Sequence, residues 1–109
     1  GITPDTDKIG ILQDIHWSSG LIGYFPTYSI GNLLSAQLWE KATTDHPNIK
    51  TDVENAKFDT LLAWLRENIH QHGRNYLPKE LIQRATGKPL SSEAYIRYLK
   101  SKYGEIYGF

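Results

Sequence analysis

From Phe58 to Ile69 the apolar residues Phe58, Leu61, Leu62, Leu65 and Ile69 fall at i, i+3, i+4, i+7 and i+11. That spacing lays them along one face of an α-helix, and Gly73 stands just beyond as a stop. No stretch alternates apolar and polar residues over the length of a half-buried strand, and there is no internal repeat or low-complexity tract. A chain with this single period is predicted to be all-α.

Further helices follow from the same spacing and from their punctuation. One is predicted over about Thr27 to Thr43, where Ile30, Leu33, Leu34, Gln37, Leu38 and Lys41 approximate a stripe with Ala36 and Ala42 as small neighbours. Gly31 within it costs about 1 kcal/mol against alanine, so it is read as a site of close packing. Asp45-His46-Pro47-Asn48 breaks the chain. Ile49 to Lys57 is polar and ambiguous, with a short helix from Thr51 or Asp52. Pro78 suits the first position of a short helix carrying Leu81, Ile82 and Ala85 and ending at Gly87. Pro89 then breaks the chain, and Ser91 or Ser92 caps a last helix that buries Ile96, Leu99, Tyr103 and Ile106. Trp39, Trp64, Tyr95, Tyr98, Tyr103 and Tyr107 lie on or beside these stripes and read as core or half-buried packing.

Length and charge narrow the function classes. A chain of 109 residues is one domain or a piece of one. Its basic and acidic residues balance at 12 each, which argues against a nucleic-acid backbone or an anionic membrane as partner. The arginines Arg66, Arg74, Arg84 and Arg97 are scattered among acidic residues, and Arg74 and Arg97 read as surface salt-bridge formers. There is no cysteine, which excludes disulfides, thiolate ligands and a cysteine nucleophile and fits a cytoplasmic location. No apolar run has membrane-spanning length, and the first residues lack the character of a signal peptide. The absence of methionine is expected of a fragment.

Chemistry-bearing residues concentrate between Gly10 and Asn32. Gln13, Asp14, His16, Trp17, Tyr24 and Tyr28 alternate there with Gly10, Gly20, Gly23 and Gly31. Clustered glycines mark positive φ or a close backbone approach. The segment Gly10–Trp17 is predicted to be one helix, with Gln13 and Trp17 sharing a face, followed by a loop from Ser18 to Pro26. His16 reads either as a core histidine with one hydrogen bond or, with Tyr24 and Tyr28, as a donor to an oxyanion developing on a carbonyl. A hydrolytic triad of Ser18 or Ser19 with His16 and Asp14 is disfavoured, because the G-x-S-x-G elbow is missing. His70 and His72 sit about 200° apart on a helix and make poor metal co-ligands; with His46 they read as solvated, and no metal ligand is assigned.

The run Gly10-Ile-Leu-Gln13-Asp14-Ile-His16-Trp17 resembles the Gly-x-x-Gln-Asp-x-His-Trp signature of the carboxypeptidase Taq family of zinc metallocarboxypeptidases. The resemblance continues through Trp17–Gly20, Gly23–Tyr28 and Gly31-Asn32. It resumes at Trp64–His70, His72–Arg74, Ala85–Leu90, Arg97–Leu99 and Lys102–Gly104. It implies the C-terminal helical segment of a larger, mostly helical zinc-peptidase fold that releases single residues from peptide C-termini. The family's zinc is held by a His-Glu-x-x-His helix and a downstream glutamate, with the motif's glutamate as general base, and no such motif occurs here. Zinc is therefore expected in the parent enzyme and not in this fragment, which alone is expected to be inactive.

By the same resemblance Gln13, Asp14 and Trp17 line the cleft and bind substrate. His16 and either Tyr24 or Tyr28 are then the transition-state donors. Residues 1–46 would form the cleft-wall loop and helix, and 47–109 the helical support. The exposed face around Trp17 and Phe25 is expected to drive homodimer formation or other self-association. The rival reading is a stand-alone helical interaction module that binds a partner through that aromatic surface without catalysis.

Overall fold

A computed structural model describes residues 1–108. Among them every regular element is an α-helix or a 3-10 turn, as expected of an all-α chain: α1 Ile15–Ser18, α2 Pro26–Asp45, α3 Ile49–Glu54, α4 Asp59–Asn68, α5 Pro78–Thr86 and α6 Glu93–Tyr107. None of these helices is long and apolar enough to cross a membrane. The chain divides into two compact units, residues 1–30 and residue 31 onward.

The second unit is held by a small core of Ala42, Ile49 and Trp64, with Leu38, Val53, Leu61 and Leu65 packed against it. Trp64, only 3% exposed, keeps its indole N–H satisfied by donating to Asp45 Oδ2 at 2.9 Å, as a buried indole must. The same Asp45 carboxylate takes an ion pair from Lys41, one turn earlier on α2. A second buried centre forms around Gln37. Its Nε2 donates to Thr86 Oγ1 and to the Pro89 carbonyl, each at 3.0 Å, and its Oε1 accepts the Ser91 N–H at 3.1 Å. One amide thereby ties α2 to the turn between α5 and α6, and every polar atom it brings inside has a partner.

The local signals placed most helix ends well. Pro78 opens α5, and Gly87, in the left-handed region, closes it. The helix predicted over Thr27–Thr43 runs from Pro26 to Asp45, and α3 begins at Ile49 rather than at Thr51 or Asp52. At the start of α6 Ser92 occupies the cap position without a side-chain bond, while Ser91 Oγ accepts the Glu93 N–H at 3.4 Å. His70 and His72 form a separate 3-10 turn beyond α4 rather than its last turn.

Burial departs from the predicted stripes. Phe58, Leu62, Ile96 and Ile106 are exposed, as are Trp39, Tyr98 and Tyr107. Periodicity marks the face of a helix that is apolar, but burial requires a second surface to cover it. Gly31 is also not a close-packing site here, because nothing lies within 4 Å of where a Cβ would stand.

Candidate functional site

The first unit departs from expectation at the residues of most interest. Gly10–Trp17 is not one helix but a 3-10 turn, Ile11–Gln13, followed by α1, with a further 3-10 turn at Asp7–Ile9 just before it. The break falls at Asp14, whose backbone is extended (φ −79°, ψ 109°) and whose side chain accepts the His16 N–H. A short carboxylate that satisfies one of the free N–H groups of a helix start competes with continuing the preceding helix. Gln13 and Trp17 therefore do not share a helical face. Gln13 instead donates to the Lys8 carbonyl at 2.6 Å, and Trp17 is exposed. Gly10 serves a close approach: a Cβ there would meet Pro4 Cγ at 3.0 Å.

The other end of α1 is fixed as firmly. Gly20 adopts φ +74°, its N–H donates to the Trp17 carbonyl at 3.0 Å, and the Leu21 N–H donates to the His16 carbonyl at 2.8 Å. This pair of bonds is the Schellman closure, which needs a left-handed residue and so favours glycine. Gly23, at φ +79°, makes a second turn. The chain then enters α2 through Tyr24, whose carbonyl accepts from Thr27 Oγ1 at 2.8 Å. A one-turn helix held at both ends thus carries His16, and the loop behind it, with the first turn of α2, returns Tyr24, Phe25 and Tyr28 to the imidazole.

The geometry around His16 is specific. Its Nδ1 lies 2.6 Å from Asp14 Oδ1, and its Nε2 lies 3.2 Å from the Tyr28 hydroxyl. Tyr24 stacks on the ring, with centroids 5.5 Å apart and planes at 27°. Phe25 meets it edge-on at 5.6 Å. The His16 and Asp14 side chains are 15% and 24% exposed, while Tyr24 and Tyr28 are 46% and 53% exposed. An imidazole shielded on its faces and bound at both nitrogens thus sits beside two phenols open to solvent. The backbone N–H of His16 first, and its ring second, hold the Asp14 carboxyl below the ordinary carboxylate value. An ionised carboxylate only accepts, so Nδ1 carries a proton. Nε2 then accepts a hydrogen bond from the Tyr28 O–H when the ring is neutral and donates one when the ring is charged.

The structure thus brings Asp14, His16, Tyr24 and Tyr28 together, while Gln13 is engaged with Lys8. The serine alternative does not assemble: Ser18 Oγ donates to the Ile15 carbonyl at 2.9 Å, and Nε2 faces a phenol. Sequence reasoning missed Phe25 as a wall of the imidazole, and it missed the direct pairing of Asp14 with His16. The available signal was an aspartate just before Ile15-His16-Trp17-Ser18, which is a helix-start pattern. Among the described residues no three His, Cys, Asp or Glu side chains gather into a group fit to hold a metal ion. Arg97 makes the expected surface pair, a two-pronged contact with Glu40 at 2.9 and 2.8 Å, whereas Arg74 has no ion pair among the described residues.

Residues 1–103 match the family described as Carboxypeptidase Taq (M32) metallopeptidase. The chain is similar to the thermostable carboxypeptidase 1 of Pyrococcus furiosus, at 52% identity over 94% of this chain and 21% of that protein. It is also similar to carboxypeptidase 1 of Bacillus subtilis, at 43% identity over 98% of this chain and 21% of the relative. Among solved structures it superimposes on an M32 carboxypeptidase from Deinococcus radiodurans R1 with a TM-score of 0.91 and 46% identity, over 100% of this chain and 22% of the other. The chain thus spans about a fifth of the length of the relatives it matches.

Proposed function

This chain belongs to the carboxypeptidase Taq (M32) metallopeptidase family, and on that premise we propose that it is part of a metal-dependent carboxypeptidase releasing single residues from peptide C-termini. Its contribution is one wall of the cleft and the hydrogen-bond donors for the reacting carbonyl. The metal, zinc by family resemblance, is assigned to residues outside this chain. In this reading residues 1–46 line the cleft, 47–109 support it, and Gln13 and Trp17 contact the substrate. The cysteine-free sequence is compatible with a cytoplasmic enzyme.

The single observation that carries the reading is the approach of His16 Nε2 to the Tyr28 hydroxyl at 3.2 Å. Two donors so spaced can share one oxygen, and donors fixed in advance where negative charge develops stabilise a tetrahedral intermediate without reorganising. Tyr28 is therefore the donating phenol, and Tyr24, stacked on the ring, holds the imidazole in place.

The test is a pair of variants in the full-length enzyme. Tyr28→Phe is expected to lower kcat by about 10²- to 10³-fold with little change in KM, the usual cost of one oxyanion donor. Tyr24→Phe, which keeps the ring and removes only the hydroxyl, is expected to have a far smaller effect. Equal activity of Tyr28→Phe and wild type would defeat the assignment. The isolated chain is expected to show no peptidase activity with added zinc and to self-associate through the exposed side chains around Trp17 and Phe25. Sedimentation as a monomer would contradict the second expectation.

A further inference from the structure

We propose that Asp14 is a positioning residue that acts through His16: it fixes the imidazole with Nδ1–H toward its own carboxylate and supports the charged ring while Nε2–H and the Tyr28 O–H share one substrate oxygen. The inference rests on the reading of His16 and Tyr28 as donors and gives Asp14 a different task from contacting substrate.

Three observations carry it. Asp14 Oδ1 is already engaged twice by His16, by the backbone N–H at 2.9 Å and by Nδ1 at 2.6 Å, so the oxygen facing the ring has little capacity left for a ligand. The bond is sheltered, with both side chains less than a quarter exposed, and a sheltered charge-assisted bond keeps its strength and direction. The ring has little freedom to turn elsewhere, because Tyr24 lies on its face and Phe25 meets it at 88°.

The consequence is a defined proton arrangement. With the imidazole neutral, Nδ1–H points to Asp14, and Nε2 accepts a hydrogen bond from the Tyr28 O–H, which is then not free for substrate. With the imidazole protonated, Nε2 becomes a donor and Tyr28 regains its own O–H for the substrate. Both donors then face the same side, and the Asp14 carboxylate offsets the positive charge. A neutral amide in place of the carboxylate would neither hold Nδ1–H firmly in place nor offset the positive charge of the protonated ring.

Asp14→Asn in the full-length enzyme isolates this role, because asparagine caps a helix start as well as aspartate and so preserves α1. It is expected to lower kcat by about 100-fold or more, in the range of a mispositioned acid–base group, with KM within about threefold of wild type. Nitrogen NMR of histidine-labelled enzyme supplies a readout independent of turnover. His16 should carry its proton on Nδ1 in the wild type and lose that preference in Asp14→Asn. A wild-type spectrum with Nδ1 unprotonated would overturn the proposal outright. So would an Asp14→Asn variant that raises KM at unchanged kcat, which would mean that Asp14 holds substrate directly. His16→Gln and Tyr28→Phe belong in the same series. If both leave kcat intact, the reading of the site fails and the role of Asp14 with it. If both lower kcat while Asp14→Asn does not, the positioning role alone is overturned.

Discussion

Gln37 and His16 each gather several polar partners, and they do so in opposite surroundings. Around Gln37 the amide and the Thr86 hydroxyl are buried in the second unit, the Pro89 carbonyl and Ser91 N–H beside them are part-buried, and each hydrogen bond closes on another protein group. Around His16 the chain Asp14–His16–Tyr28 begins in shelter and ends on a phenol 53% exposed. A buried, fully satisfied network rigidifies a fold, because any unpaired member would bear the cost of desolvation. A network with one open end leaves a polar group facing solvent, where the proposed function places the substrate. The contrast separates groups that hold the chain together from groups that are aimed outward.

The comparison breaks most readily at Trp64. Replacing it with alanine is expected to destabilise the second unit by about 3–5 kcal/mol, measured by urea unfolding, since it removes the largest buried side chain and the indole donor to Asp45. Gln37→Leu should cost about 1–3 kcal/mol in the same assay, because it leaves the part-buried Ser91 N–H and Pro89 carbonyl without their protein partner. Tyr28→Phe is the counterpart: although it should abolish most turnover, its unfolding midpoint should move by no more than about 0.5 kcal/mol, as for an ordinary surface change. A large loss of stability in Tyr28→Phe would erase the distinction between the two networks.

Acid provides the smallest and broadest test. Lys41 first, and the Trp64 indole second, hold the Asp45 carboxyl below its ordinary 3.8, and the Arg97 contact holds Glu40 below its ordinary 4.5. A carboxyl depressed by folding contributes stability that is present above its unfolded value and is lost as pH falls through the folded one. Urea midpoints should therefore hold steady from neutral pH to about pH 5 and decline below about pH 4, each exposed pair making only a small contribution. The double variant Asp45→Asn with Glu40→Gln should flatten that decline. An unchanged slope would remove both pairs from the account.

Much of the helix pattern could be read along the chain because its causes are local. Pro78 has no N–H to lose at a helix start, Gly87 tolerates the left-handed closure, and the spacing of Leu61, Leu65 and Ile69 needs only the helical period. The candidate site was legible as a set of residues, since a run of glycines among titratable and aromatic side chains has no role in an ordinary core. Its wiring was less so. Asp14 interrupts what the apolar spacing of Ile11, Leu12 and Ile15 predicts as one helix, because its side chain satisfies the His16 N–H by itself.

Sequence by itself determined the all-α class, the boundaries of α2 and α5 and the start of α6 to within a few residues, and the stretch proposed as the candidate site. Only the tertiary structure decided which phenol meets Nε2, that Asp14 grips Nδ1, and that Trp64 is buried while Phe58 and Ile106 are not. The physical reason is the range over which each is set. Backbone dihedrals and end caps answer to neighbours within a turn, whereas the 3.2 Å between His16 and Tyr28 and the cover over an apolar face depend on where distant parts of the chain come to rest.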